Sequence, residues 1–178
     1  MPPTTIVLGP GSSGTVEGLA PHAEGLRRRG HDVELVPLPK GRAERAVPVY
    51  RGALARLGRP AVIGGHSFGG RVATLVAADH ATATDWAPAA LVLLSYPLHA
   101  PGRQEAWDER TAHWPRIACP VLLLSGESDP FARIDLLRTA VARLPDARLV
   151  TYAGLGHGLM PVLAAALDEM DRFVRERT

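Results

Sequence analysis

Only one cysteine, Cys119, occurs among 178 residues. A disulfide framework and a thiolate metal site within one chain are both excluded. Lysine is equally scarce: Lys40 stands against nineteen arginines, and the net charge is only +2. Such a balance does not suit a nucleic-acid binder. The one basic run, Arg27-Arg28-Arg29, reads instead as a solvated helix end closed by Gly30. Aromatic residues make up 5% of the chain, so the core has to be aliphatic and rich in alanine. No apolar run approaches the roughly 18 residues of a membrane span. The first residues carry no basic stretch ahead of the short run Ile6-Val7-Leu8, so no signal peptide is expected and the expected setting is cytoplasmic.

Glycine and proline, by contrast, are abundant, at 18 and 16 residues. They punctuate many short elements joined by tight turns. The length fits a single domain over residues 1–178, which buries about 70% of its unfolded-chain surface and so holds a core unaided. Strands are predicted over residues 4–8, 32–37, 60–64, 90–96, 121–125 and 148–152. Helices are predicted within 16–29 and over 42–57 (interrupted early by Pro48), 68–79, 133–144 and 161–175. Residues 99–119 read mostly as loop with room for a short helix. Continuous apolar strands such as Ala90-Leu91-Val92-Leu93-Leu94 suit a sheet covered on both faces. The alternation implies an α/β fold: three layers, with a mostly parallel six-stranded sheet and helices on both faces.

The chemistry-bearing motif is Gly65-His66-Ser67-Phe68-Gly69-Gly70, a G-x-S-x-G between a predicted strand and a predicted helix. About 0.06 such strings are expected by chance at this composition. The setting is that of a nucleophile elbow, in which flanking glycines permit a turn that lifts the serine above the sheet edge. The Phe68 N–H, opening the helix, is placed to donate to an oxyanion. A nucleophilic serine needs a base, and the base an orienting acid. Candidates follow the next strands in that architecture's order: Asp129 in Gly126-Glu127-Ser128-Asp129-Pro130, with Glu127 as fallback, and His157 between Gly156 and Gly158. His22, His31, His80 and His113 read as solvated loop or helix-end residues. His66 either lines the pocket or only packs, and His99 is a candidate pocket residue. Two tryptophans, Trp107 and Trp114, hint at a hydrophobic acyl or alcohol group.

A rival motif is Gly9-Pro10-Gly11-Ser12-Ser13-Gly14, a G-x-G-x-x-G between strand and helix, with Glu34 twenty residues beyond Gly14. Glu34 falls inside the second strand rather than at its end. Pro10 removes a backbone donor where phosphate would want one. The same loop has a place in the hydrolase reading, where Gly11 supplies the second oxyanion N–H. No metal-binding spacing and no cofactor motif beyond this one is present.

Four segments carry a resemblance: Gly65-His66-Ser67-Phe68-Gly69-Gly70-Arg71, Ser95-Tyr96-Pro97-Leu98-His99-Ala100-Pro101-Gly102-Arg103, Gly126-Glu127-Ser128-Asp129-Pro130-Phe131 and Gly154-Leu155-Gly156-His157. The chain resembles the α/β-hydrolase superfamily, in particular its compact, cap-less dienelactone-hydrolase-like members. The resemblance implies a serine esterase or acyl hydrolase with Ser67 as nucleophile, His157 as base and Asp129 as acid. It also implies a sheet lacking the superfamily's first two strands, so that the first strand here is internal. The oxyanion loop departs from the family's His-Gly-Ala-Gly, reading Leu8-Gly9-Pro10-Gly11 instead. The dienelactone hydrolases proper use a cysteine where this chain has Ser67. No cofactor is implied, and the expected partner is a small-molecule ester or acyl substrate. Its site is open, with the Trp107–Trp114 stretch as a candidate cover. Two alternatives remain: a non-catalytic α/β-hydrolase scaffold that binds a partner, and a dinucleotide-binding domain.

Overall fold

A computed structural model describes residues 3–79 and 87–178; His80 lies outside them. Among the described residues six strands run in chain order: β1 (Thr5–Gly9), β2 (Asp32–Leu35), β3 (Val62–His66), β4 (Ala90–Leu94), β5 (Val121–Gly126) and β6 (Ala147–Tyr152). They form one sheet in the order β2-β1-β3-β4-β5-β6 with every neighbouring pair parallel. The first strand is therefore internal, as expected. Its helices are α1 (Ala20–Arg28), α2 (Ala43–Leu57), α3 (Phe68–Asp79), α4 (Trp107–Thr111), α5 (Ile134–Val141) and α6 (Leu163–Arg177).

Alternate strand residues face opposite cores. Val7, Ile63, Leu91, Leu93 and Leu123 pack with apolar side chains of α2, α3 and α5. Ile6, Leu8, Val62, Val92, Leu94, Leu122 and Leu124 pack with those of α1 and α6. This is the three-layer arrangement that the apolar strands require. Arg27-Arg28-Arg29 does close α1, with Gly30 at φ 92°. Pro48 does not break α2, which runs through it. It is the sixth residue, so only one ladder bond is lost, to the carbonyl of exposed Glu44 near the helix start.

Tyr50 of α2 reaches between β1 and β3, wholly buried. Its hydroxyl lies 2.8 Å from the Val7 carbonyl and 2.7 Å from the Gly64 carbonyl, and accepts the Gly64 N–H at 3.0 Å. It satisfies the backbone just ahead of the β3 turn. Tyr50→Phe is expected to lower stability by about 1–3 kcal/mol, because buried backbone groups lose their partner. The check is the urea midpoint at constant slope.

Three histidines expected at the surface are buried instead. His31 bonds Asp171 of α6 at 2.7 Å. His113 bonds the Thr74 hydroxyl at 2.9 Å, and neither ring nitrogen of His22 has a partner among the described residues. Burial is the main cause that pushes His22 and His113 from the ordinary 6.5 down to about 4. As pH falls, the unfolded chain then takes up protons before the folded one does. Stability is unaffected by these groups above about pH 6.5 and declines from there toward pH 4. The slope is up to about 1.4 kcal/mol per histidine for each pH unit. Urea titrations at pH 7 and 5 should show the drop, and a non-titrating residue at position 113 should reduce it.

Candidate active site

At the C-terminal end of β3 the chain turns into α3 within one residue. Ser67 occupies that turn with φ 49°, in the left-handed region, where a non-glycine residue stores about 1–2 kcal/mol of strain. The turn is pinned by its backbone: the Ser67 N–H donates to the Leu94 carbonyl at 2.8 Å, and its carbonyl accepts from Arg71 at 3.1 Å. The glycines are required by the close approach of β1. A Cβ on Gly65 would lie 2.2 Å from the Gly9 carbonyl oxygen, and one on Gly69 would lie 2.0 Å from it. Register pairs Gly9 with Gly65, so bare backbone meets bare backbone there.

His157, in the loop after β6, accepts the Ser67 hydroxyl proton at Nε2, 2.8 Å away, and donates from Nδ1 to Asp129 Oδ2 at 2.8 Å. The Asp129 side chain is fully buried and that of His157 is 24% exposed. The other Asp129 oxygen accepts the Phe131 N–H at 2.8 Å, the local turn that an Asp-Pro step favours. Glu127 is engaged elsewhere: it accepts from the Thr151 hydroxyl at 2.7 Å and faces Arg138 at 3.6 Å. The structure thus brings together Ser67, His157 and Asp129, and leaves the fallback acid outside.

The loops carrying Asp129 and His157 are tied to each other. The Ser128 N–H donates to the Leu155 carbonyl at 2.9 Å, and Glu127 N–H to the Tyr152 carbonyl at 3.0 Å. Gly126 allows the approach, since a Cβ there would sit 2.1 Å from the Leu155 oxygen. Phe131 packs its ring 4.6 Å from that of His157. On the other side His66 donates from Nε2 to the His157 carbonyl at 3.1 Å, with ring centroids 5.2 Å apart. Burial holds the His66 pKa below its ordinary value, so it stays neutral beside His157.

Ser67, Phe68 and His157 line an open cleft of about 520 Å³, with Ser12, Pro97, Ala100 and several charged side chains. Phe68 is the first residue of α3, so its N–H has no partner within the helix. Gly11 borders a neighbouring cavity on the His66 side, and its residue-12 neighbour borders both. His99 does not reach the cleft. It is 1% exposed, its Nδ1–H donates to the Ala100 carbonyl at 2.9 Å, and Nε2 accepts the Arg133 N–H at 3.1 Å. It joins the loops after β4 and β5. Neither Trp107 nor Trp114 lines the cleft: Trp114 is wholly buried against Tyr96, and Arg143 lies over the Trp107 ring. Glu109 and Arg110, between them, do line it. Arg71 and Arg110 also line the cleft and are not among the residues expected there; Arg71 lies four residues past the serine.

Among the described residues no group of histidine, cysteine or acidic side chains is placed to hold a metal, and no helix is long and apolar enough to cross a membrane. Glu34 lies within β2 and pairs in register with Val7.

Residues 38–174 match the family model described as an alpha/beta hydrolase domain. Several solved structures share the fold. A monoacylglycerol lipase from Paleococcus ferrophilus superposes with a TM-score of 0.78 at 15% identity, over 94% of each chain. An enol-lactonase from Burkholderia xenovorans gives 0.80 at 17% identity, over 97% of this chain and 92% of that one. A dienelactone hydrolase from Anabaena variabilis gives 0.78 at 19% identity, over 98% and 87%. No curated protein matches the chain in sequence.

Proposed function

The chain belongs to the alpha/beta hydrolase family, and on that footing we propose that it is a serine hydrolase acting on an ester or similar acyl bond. The observation that carries this reading is the continuous hydrogen-bonded line from the Ser67 hydroxyl through His157 to buried Asp129, at 2.8 Å for each link. Ser67 Oγ attacks the carbonyl carbon as its proton passes to His157 Nε2. Asp129 fixes the tautomer that leaves Nε2 free to accept, and stabilises the imidazolium that forms. The oxyanion is bound by the Phe68 N–H and by the loop after β1. There Pro10 has no proton to give and Gly11 is the first residue that does. The imidazolium returns its proton to the departing alcohol, leaving an acyl-enzyme. Water then attacks that ester with His157 again as base, and the acid departs.

The lipase, lactonase and dienelactone hydrolase among the structural neighbours support the acyl-bond class. A fluorophosphonate probe tests the reading directly. Wild-type protein should gain one adduct on Ser67 by mass spectrometry, and Ser67→Ala should gain none. Wild-type protein that stays unmodified would refute the enzyme and favour the non-catalytic scaffold.

A further inference from the structure

We propose that a second cavity, on the His66 side of the loop after β1, binds a small neutral alcohol whose hydroxyl donates to His66 Nδ1. The cavity measures about 340 Å³ and is separate from the cleft, since neither Ser67 nor His157 lines it. That size is within the range of small-molecule sites. The binding step stands independently of the serine-hydrolase reading. The acceptor follows from the tautomer. A carbonyl oxygen only accepts, so the 3.1 Å bond to the His157 carbonyl puts the ring proton of His66 on Nε2. In a neutral ring that leaves Nδ1 with a lone pair and no proton, and burial favours the neutral ring here. Nδ1 has no partner among the described residues.

Gly11 leaves that lone pair uncovered. A Cβ at Gly11 would lie 3.2 Å from Nδ1. Gly11 is not among the glycines with positive φ, so its backbone angle does not itself call for glycine. His22 lines the same cavity, buried, with neither ring nitrogen partnered among the described residues. Burial lowers its pKa as well. The cavity is thus bordered by two neutral imidazoles, and among the described residues by no carboxylate, lysine or arginine. An ion entering it would lose its hydration without gaining a counter-charge. A carboxylate would in addition turn its own lone pairs toward that of Nδ1. Pro10, Leu19, Leu159 and Met160 supply the apolar wall. A neutral molecule with one hydroxyl on a short apolar body meets both demands, because an unmet acceptor in such a setting is costly.

The test is a titration followed by NMR of methionine methyl groups labelled with carbon-13. Met160 is half exposed and borders the cavity, whereas Met170 is wholly buried in the core and serves as control. Loss of one signal in Met160→Leu assigns the reporter. The ligands are 2-phenylethanol and its isomer benzyl methyl ether, which keeps an oxygen acceptor but has no donor, and phenylacetate, which is charged. The alcohol should move the Met160 methyl saturably and leave Met170 still. The ether should bind about 5- to 10-fold more weakly, and phenylacetate should give no saturable shift. His66→Gln keeps an N–H for the His157 carbonyl but has no lone pair at the Nδ1 position, so alcohol and ether should become equal. Gly11→Ala, which covers Nδ1, should weaken the alcohol selectively and decides the matter should His66→Gln fail to fold. No saturable Met160 shift, equal affinities for alcohol and ether in wild type, or a preference that survives in both folded variants would overturn the site.

Discussion

Ser67→Ala should lower turnover about 10⁴-fold or more while leaving the fold intact. The fold should survive because the turn is held by the serine's backbone, through Leu94 and Arg71. The hydroxyl itself bonds only His157 among the described residues. Alanine inherits the same left-handed backbone angle as serine, so it adds little strain. His157→Ala should cost a similar factor, and the double variant barely more than either single one, because groups acting as a unit are not additive. Initial rates on an activated ester, with far-UV circular dichroism as the fold control, check all three. A Ser67→Ala protein that keeps a tenth of the wild-type rate would mean that the chemistry lies elsewhere.

Asp129→Asn should cost about 10³- to 10⁴-fold, somewhat less than loss of the nucleophile. An amide can no longer both accept the His157 Nδ1 proton and balance the imidazolium's charge. The buried position of the carboxylate, with no side-chain exposure, leaves water no route to substitute for it. The control is Glu127→Gln, which should change kcat/KM by less than about twofold. Glu127 serves Thr151 and Arg138 in a partly exposed setting, where such contacts are worth little. If the two results were reversed, the acid would be Glu127 and the described hydrogen bond would be incidental.

The layers of the fold and the meeting of Ser67, Asp129 and His157 at one sheet edge could be read from the chain because they depend on local features. Continuous apolar runs mark strands buried on both faces, and Gly65 and Gly69 mark a turn that tolerates no side chain. The choice between Asp129 and Glu127 could be argued from the Asp-Pro turn, but it depends on which carboxylate the loop after β6 meets. His22, His31 and His113 looked solvent-bound because each stands near a helix end or in a loop; their burial comes from α6, α3 and neighbouring loops folding over them. His99 sits at the correct sheet edge but turns inward, since the loops after β4 and β5 need a joint. Arg110 could not be picked out from eighteen other arginines. What places it at the cleft is its pair of bonds with Tyr96 and Pro97, a relation between separate segments.

The stitching between the loops after β5 and β6 couples the Asp129 carboxylate to the His157 imidazole, whereas the Ser67 hydroxyl stands at the end of β3, joined to the imidazole's loop through its own bond and that of His66. Disturbance at the β6 edge is therefore expected to move His157 and Asp129 together. The imidazole would keep its tautomer and its neighbour while drifting out of reach of the proton it must collect. Under the proposed mechanism, such a displacement that breaks the His66 and Ser67 contacts would remove activation of the hydroxyl while the imidazole–carboxylate pair persists.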